Sequence, residues 1–264
     1  MPLFNHVVGR AAPILSHQGY RQIIPNIVEP KSTFEHSLGL SSDIVRKEMY
    51  SFTDLGGNEL VLRPEGTAGV MRWAMNSEYR KTIEKEPIKA YYWGPMYRYE
   101  RPQAGRYRQF YQLGAERIGG SADVGSAILG DYENLSTALA ILESVFEHKV
   151  ELTVRMNNLG DGETVPRFNA DLKSLLEARA GELSSDSQMR LAQGNCMRVL
   201  DSNSKQDQTI VESMIARGEM PSIDDYMPAE HVQAFEELIT LLRDAHPGIE
   251  FVRDPALVRG LDYY

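Results

Sequence analysis

Five arginines, Arg98, Arg101, Arg106, Arg108 and Arg117, fall within about twenty residues of a 264-residue chain whose formal net charge is -9. The stretch is Tyr97–Arg117, YRYERPQAGRYRQFYQLGAER. It reads as a strand, a short charged loop over Glu100–Tyr107 turned by Pro102 and Gly105, and a second strand. Guanidinium forks match phosphate geometry better than any other side chain, so such a cluster could hold a phosphorylated ligand. In the second strand, alternation puts Arg108, Phe110, Gln112, Gly114 and Glu116 on one face. Gln109, Tyr111, Leu113, Ala115 and Arg117 take the other. A face carrying Arg, Gln and Glu spaced by glycine suits the floor of a polar site, although a solvated basic hairpin gives the same pattern.

A second constellation is Leu62-Arg63-Pro64-Glu65-Gly66-Thr67. Proline and glycine pin it as a turn, and Thr67 can cap the apolar helix that follows. Glu65 has two readings. It can complement that helix's dipole, or it can join the Thr67 hydroxyl in gripping an ammonium group. A third stretch, Leu257-Val258-Arg259-Gly260-Leu261-Asp262-Tyr263-Tyr264, is strand-like and aromatic-rich.

The elements that must position these residues follow from periodicity. Met1 to Gly19 reads as a helix stopped by glycine, with Pro13 inside it. Tyr20–Val28 reads as a strand interrupted by Pro25. Ser32–Leu38 is a short helix begun by a Ser32 cap and ended at Gly39. Met49–Thr53 and Glu59–Arg63 form a hairpin, and Ile88–Trp93 leads into the arginine hairpin. Ile128, Tyr132, Leu135, Leu139, Leu142 and Phe146 recur as the core stripe of a long helix. Val150–Met156 and Ile249–Val252 are strands. Between them the sequence is charged and helical by period, with breaks at Gly181, Gly194, Pro221 and Pro228.

Composition is that of an ordinary globular protein, 42% hydrophobic and 25% charged. No apolar run approaches a membrane span, and the N-terminus lacks a signal-peptide pattern. The single cysteine, Cys196, excludes an internal disulfide and points to a reducing, cytoplasmic setting. Six scattered histidines offer no metal-ligand spacing. The acidic balance argues against sequence-independent coating of nucleic acid, though not against local RNA contacts.

Taken together, LRPEGT (Leu62–Thr67), the Tyr97–Glu116 block and LVRGLDYY (Leu257–Tyr264) resemble histidyl-tRNA synthetase, a class II aminoacyl-tRNA synthetase. The resemblance implies an α+β fold, with an antiparallel sheet flanked by helices and a helical insertion. It implies a catalytic core over residues 1–165 with motifs 1 and 2, an insertion over 166–247, and a return to the core over 248–264. It implies a cytoplasmic homodimer whose interface includes the region around Tyr20–Glu29, and the substrates L-histidine, ATP (accompanied by Mg²⁺) and tRNA(His). Arg98 and Arg259 would be the catalytic arginines at the α-phosphate, and Glu100 and Arg106 would also meet ATP. Glu65, Gly66, Thr67 and Gln112 would surround the amino-acid ammonium. Glu116, Tyr263 and Tyr264 would bound the imidazole; no resident protein-bound metal is implied.

The sequence departs from the family pattern in places. No Arg-Gly segment precedes the first helix, and Pro25 stands one position early relative to Ile27-Val28-Glu29. Motif 3 and the anticodon-binding domain are expected to lie outside the chain. A second reading is the synthetase-like regulatory subunit of ATP phosphoribosyltransferase, which also lacks an anticodon domain. Retention of Glu65, Arg98, Gln112, Glu116 and Arg259 favours the ligase.

Overall fold

The structure is a computed structural model, and it describes all residues except 1, 40, 41, 43, 77, 82, 84, 102, 122, 159 and 259–264. Its elements in chain order are α1 (Pro2–His17), β1 (Arg21–Gln22), β2 (Val28–Pro30), α2 (Lys31–Leu38), β3 (Tyr50–Thr53), β4 (Glu59–Leu62), α3 (Thr67–Asn76), β5 (Ile88–Tyr97), β6 (Gln109–Ile118), α4 (Val124–Phe146), β7 (Leu152–Met156), α5 (Thr164–Glu177), α6 (Ser185–Ala192), α7 (Met197–Leu200), α8 (Lys205–Ala216), α9 (Ala229–Ala245) and β8 (Ile249–Arg253). They form two compact units, one over Met1–Val150 and one beginning at Glu151.

The first unit is organised by the antiparallel ladder of β5 and β6, paired over ten residues from Ile88↔Ile118 to Tyr97↔Gln109. β1 adds to β5 in parallel. On one face of this sheet Ala90, Tyr92 and Met96 pack with Val70 and Ala74 of α3. On the other, Tyr91 packs with Ala11, Leu15 and Tyr20, while Leu113 and Ile141 close the cluster. The sheet is therefore held between α3 on one side and α1 with α4 on the other. A second antiparallel sheet, ordered β2-β4-β3, ends at the LRPEGT turn. Its Glu29 is buried and paired with Arg72 of α3 at 2.7 Å, so the charge is compensated where desolvation would otherwise be costly.

In the second unit β7 and β8 pair in parallel, Leu152↔Ile249 to Met156↔Arg253. The helices between them have their own core, in which Phe168, Leu172, Leu176, Leu183, Met214 and Ile223 are buried. A polar cluster ties the core's rim. The buried Asp207 carboxylate accepts from the Ser184 backbone N–H and from the hydroxyls of Ser184, Ser187 and Ser202, all at 2.6–2.7 Å. Burial alone pushes this carboxyl up, but the four donors together hold it down at about 2.

Several local expectations are corrected. Tyr20–Val28 is not one strand: after Gln22 only the Ile23 N–H still bonds to Tyr91, and the chain leaves β5 before Pro25, which has no N–H to give. α2 begins at Lys31 behind Pro30 rather than behind a Ser32 cap, and no side chain caps it. α5 begins at Thr164 because the Asp161 carboxylate accepts from the N–H groups of Glu163 and Thr164. On α4, Leu142 and Phe146 are 41% and 42% exposed, because the helix turns Ile141 rather than Leu142 toward Ala11 and Leu15.

Candidate active site

The LRPEGT turn is fixed from beneath by Arg63, which is buried. Its Nε donates to the Pro95 carbonyl at 3.0 Å and its Nη1 to the Pro25 carbonyl at 2.6 Å. Tyr97 N–H returns a bond to the Arg63 carbonyl at 3.0 Å. One guanidinium thus ties the end of β4 to the end of β5 and to the loop before β2. Burial lowers the Arg63 pKa from its ordinary value.

Beyond that anchor the turn presents its functional groups. Glu65 Oε2 accepts from Thr67 N–H at 2.5 Å and Oε1 from Ala68 N–H at 2.8 Å, satisfying two orphan donors at the start of α3. Glu65 therefore does the capping expected of Thr67. The Thr67 hydroxyl instead donates across to Glu116 Oε1 on β6 at 2.8 Å. Tyr92, opposite Gly114 in the ladder, brings its hydroxyl to the same Glu116 oxygen at 3.4 Å.

Two glycines make this approach possible. A Cβ on Gly114 would come within 2.4 Å of the Tyr92 ring, and one on Gly66 within 2.1 Å. The ring is thus gripped between the turn and β6, with Gln112 on one side of Gly114 and Glu116 on the other. Burial raises the Glu116 carboxyl above its ordinary value; the neighbouring Glu65 charge adds to the rise, while the Thr67 and Tyr92 donors oppose it. Burial and the Glu116 charge likewise push the Tyr92 hydroxyl up, so it remains a donor at neutral pH. Gln112 Oε1 is buried without a hydrogen-bond partner among the described residues. A buried acceptor left bare in this way is uncommon and marks a place where a donor can be taken up.

The five arginines divide by role. Arg98 Nε donates to the Pro64 carbonyl at 2.9 Å and its guanidinium lies 5.2 Å from the Phe110 ring centre, so it stands beside the LRPEGT turn. Arg106 pairs with Glu100 at 3.3 Å in the loop, and Arg108 stacks on Tyr99 at 4.2 Å. Arg101 is exposed. Arg117 is directed elsewhere, to Glu133 of α4 at 3.2 Å, where Lys89 also pairs. It supports the helix and belongs to no phosphate cluster.

The structure thus gathers Glu65, Gly66, Thr67, Gln112 and Glu116 into one polar region, with Arg98 adjoining it. Arg259, Tyr263 and Tyr264 lie outside the described residues. Sequence reasoning missed Tyr92 and Arg63. Arg63 could have been suspected as a charge placed directly after the apolar run Leu60–Leu62. Tyr92 becomes visible only when the hairpin register sets it against Gly114. Among the described residues no group of three or more His, Cys, Asp and Glu side chains could hold a metal ion, and no helix is long and apolar enough to cross a membrane.

Comparison with known proteins finds relatives along nearly the whole chain. The model of the histidyl-tRNA synthetase family matches residues 4–264. A histidine–tRNA ligase of Lacticaseibacillus casei is 42% identical over 261 residues, which is 99% of this chain and 57% of that protein. The crystal structure of apo histidyl-tRNA synthetase from S. aureus superimposes with a TM-score of 0.64 at 30% identity, covering 99% of this chain and 55% of its own. An ATP phosphoribosyltransferase regulatory subunit/histidyl-tRNA synthetase from Bacillus halodurans shares the fold, with a TM-score of 0.63 at 20% identity over 100% of this chain and 66% of that one. The chain spans a little over half the length of the curated relatives it matches. On these grounds the chain belongs to the histidyl-tRNA synthetase family.

Proposed function

We propose that this chain carries the histidine-activating site of a histidine–tRNA ligase, which joins L-histidine to ATP as histidyl-adenylate and passes it to the 3′ end of tRNA(His). The observation that carries this reading is the bare, buried Gln112 Oε1 on the face that also presents Glu116, close to the Glu65–Thr67 turn. The described partners of Glu65 and Glu116 are amides and hydroxyls, not cations. An α-ammonium entering among Glu65, Gly66, Thr67 and Gln112 would supply the missing donors and the missing positive charge. Glu116 would accept from the imidazole N–H, and Tyr263 and Tyr264 would close the imidazole end. A site of paired polar groups rejects analogues lacking them, because its own groups would be left unpaired.

The chemistry assigns the rest. Histidine's carboxylate oxygen attacks the α-phosphorus of ATP, the bond to the leaving phosphate oxygen breaks, and pyrophosphate departs. Two anions must meet, so prepositioned positive charge lowers the barrier. Arg98 is held at the turn through its Nε and offers its outer nitrogens to the α-phosphate; Arg259 would approach from the opposite side. Arg106 and Glu100 would meet the nucleotide, with Mg²⁺ carried in on the phosphates of ATP. Catalytic-core boundaries of 1–165 and 248–264, with an insertion over 166–247, belong to the same reading.

A homodimer is supported by apolar surface around motif 1, where Ile24 is 89% exposed and Ile27, Val28 and Phe52 are each 43% exposed. The cytoplasm is the proposed compartment. The regulatory-subunit reading draws support from fold alone and explains no feature of the Glu65–Gln112–Glu116 group. Pyrophosphate exchange into ATP, measured on the full-length gene product, is expected only in the presence of histidine. Exchange with another amino acid, or none with histidine, sinks the reading.

A further inference from the structure

Tyr92 is a buried phenol that no role in the proposed reaction uses. It is 3% exposed, its ring is wedged between Gly66 and Gly114, and its hydroxyl reaches Glu116 Oε1. The wedge joins two elements far apart in sequence. Gly66 belongs to the turn that presents Glu65 and Thr67, and Gly114 to the strand that presents Gln112 and Glu116. Ring thickness therefore sets the gap between the turn and the strand. The hydroxyl sets which oxygen of Glu116 is held back and which is left for a ligand. Thr67 donates to that same Oε1, so both donors converge on one oxygen and neither engages Oε2.

We propose that Tyr92 is the positioning residue for imidazole recognition: its ring spaces the Glu65–Thr67 turn from β6, and its hydroxyl, with that of Thr67, fixes Glu116 with Oε2 toward the ligand. This rests on the reading of the site as a histidine site. The groups facing Glu116 are Thr67 and Glu65 from the turn and Tyr92 from β5. Loss of the phenol removes one of two donors that hold the carboxyl down, while burial and Glu65 continue to push it up. A residue that only filled space would leave the carboxyl's titration where it was.

The test uses Tyr92→Phe, which keeps the ring, and Gly66→Ala, which keeps the hydroxyl but displaces the ring. In the ligand-free chain, carboxyl ¹³C resonances of labelled glutamate are followed with pH. The Glu116 midpoint is expected to move upward in Tyr92→Phe, while the chain keeps a native melting transition. An unmoved midpoint overturns the proposal, whatever the ligand of the site. Histidine titrated calorimetrically is then expected to bind Tyr92→Phe about tenfold more weakly, the scale of one lost hydrogen bond to a charged group. The acid limb of binding should shift to higher pH, and Gly66→Ala should weaken binding at least as much. Equal affinity of Tyr92→Phe and the unaltered chain, or a uniform loss with no shift of the acid limb, overturns it too. If the midpoint moves but the unaltered chain binds no histidine, the imidazole assignment falls while the hold of Tyr92 on Glu116 stands.

Discussion

Thr67 and Glu116, 49 positions apart in the chain, are joined by a 2.8 Å hydrogen bond from the threonine hydroxyl to Glu116 Oε1. This bond links the first turn of α3 to β6 near the end of the arginine hairpin away from its loop. It also gives the hydroxyl a partner inside the protein before any ligand arrives. Thr67→Val keeps the shape and removes the donor. Histidine affinity is expected to fall about tenfold, with ATP affinity changed far less, when both are titrated calorimetrically. A matched loss for both ligands would show that Thr67 supports the turn as a whole.

Glu116 should be held in the fold at a cost to stability. Its carboxyl is raised in the folded chain, so folding binds its proton more tightly than the unfolded chain does. That contribution favours the fold below the ordinary carboxyl range and is lost as pH rises through the raised value. Glu116→Gln is therefore expected to melt higher than the unaltered chain at pH 7, with the gap shrinking as pH falls from the raised value toward the carboxyl's ordinary value of 4.5. Thermal melts across pH 4–8 check the sign. A variant that melts lower at neutral pH contradicts it.

Asp207 has the opposite sign. Its carboxyl is held down at about 2 against an ordinary 3.8. The stability it supplies is full above the ordinary value and is lost as pH falls through the folded one, between roughly pH 4 and pH 2. Asp207→Ala leaves two buried hydroxyls, the half-buried Ser184 hydroxyl and one N–H without their acceptor and should cost about 3 kcal/mol in urea unfolding of the second unit. A cost within about 0.5 kcal/mol of zero would mean the serines find other partners.

Arg63 tests the anchor beneath the turn. Arg63→Lys keeps the charge but cannot serve the Pro95 and Pro25 carbonyls from a planar fork, so the first unit should lose about 2 kcal/mol. Chemical denaturation followed by the fluorescence of Trp73 and Trp93 reads this directly. Unchanged stability would assign the turn's rigidity to Pro64 and the cap alone.

At the end of α4, Glu147 and His148 both adopt left-handed backbone, with φ of 52° and 55°. Neither is glycine, and each carries the Cβ penalty of that region. His148→Gly is expected to stabilise by about 1 kcal/mol, since among the described residues the exposed ring has a single ionic contact, 3.9 Å from Glu143. Denaturation midpoints with unchanged slope would check this.

Much of this was legible before the fold was known. Alternation along Arg108–Glu116 correctly put Gln112, Gly114 and Glu116 on one face, because strand periodicity needs no knowledge of the partner. The helical period and glycine breaks likewise marked the second unit's helices. What local pattern could not reveal was long-range. Arg117 belongs with Glu133 of α4, Leu142 yields its core position to Ile141, and the Thr67 hydroxyl reaches Glu116 on β6 instead of capping α3. Each depends on which element packs opposite, and the place of Tyr92 depends on the register of β5 against β6.

The central claim is that Glu116 reads the imidazole while the arginine hairpin serves the nucleotide. Calorimetric titration of Glu116→Gln with histidine and, separately, with ATP tests it most directly. Histidine binding is expected to weaken at least about tenfold while ATP binding stays within about twofold of the unaltered chain. Equal weakening of both ligands, or undiminished histidine binding, would contradict it.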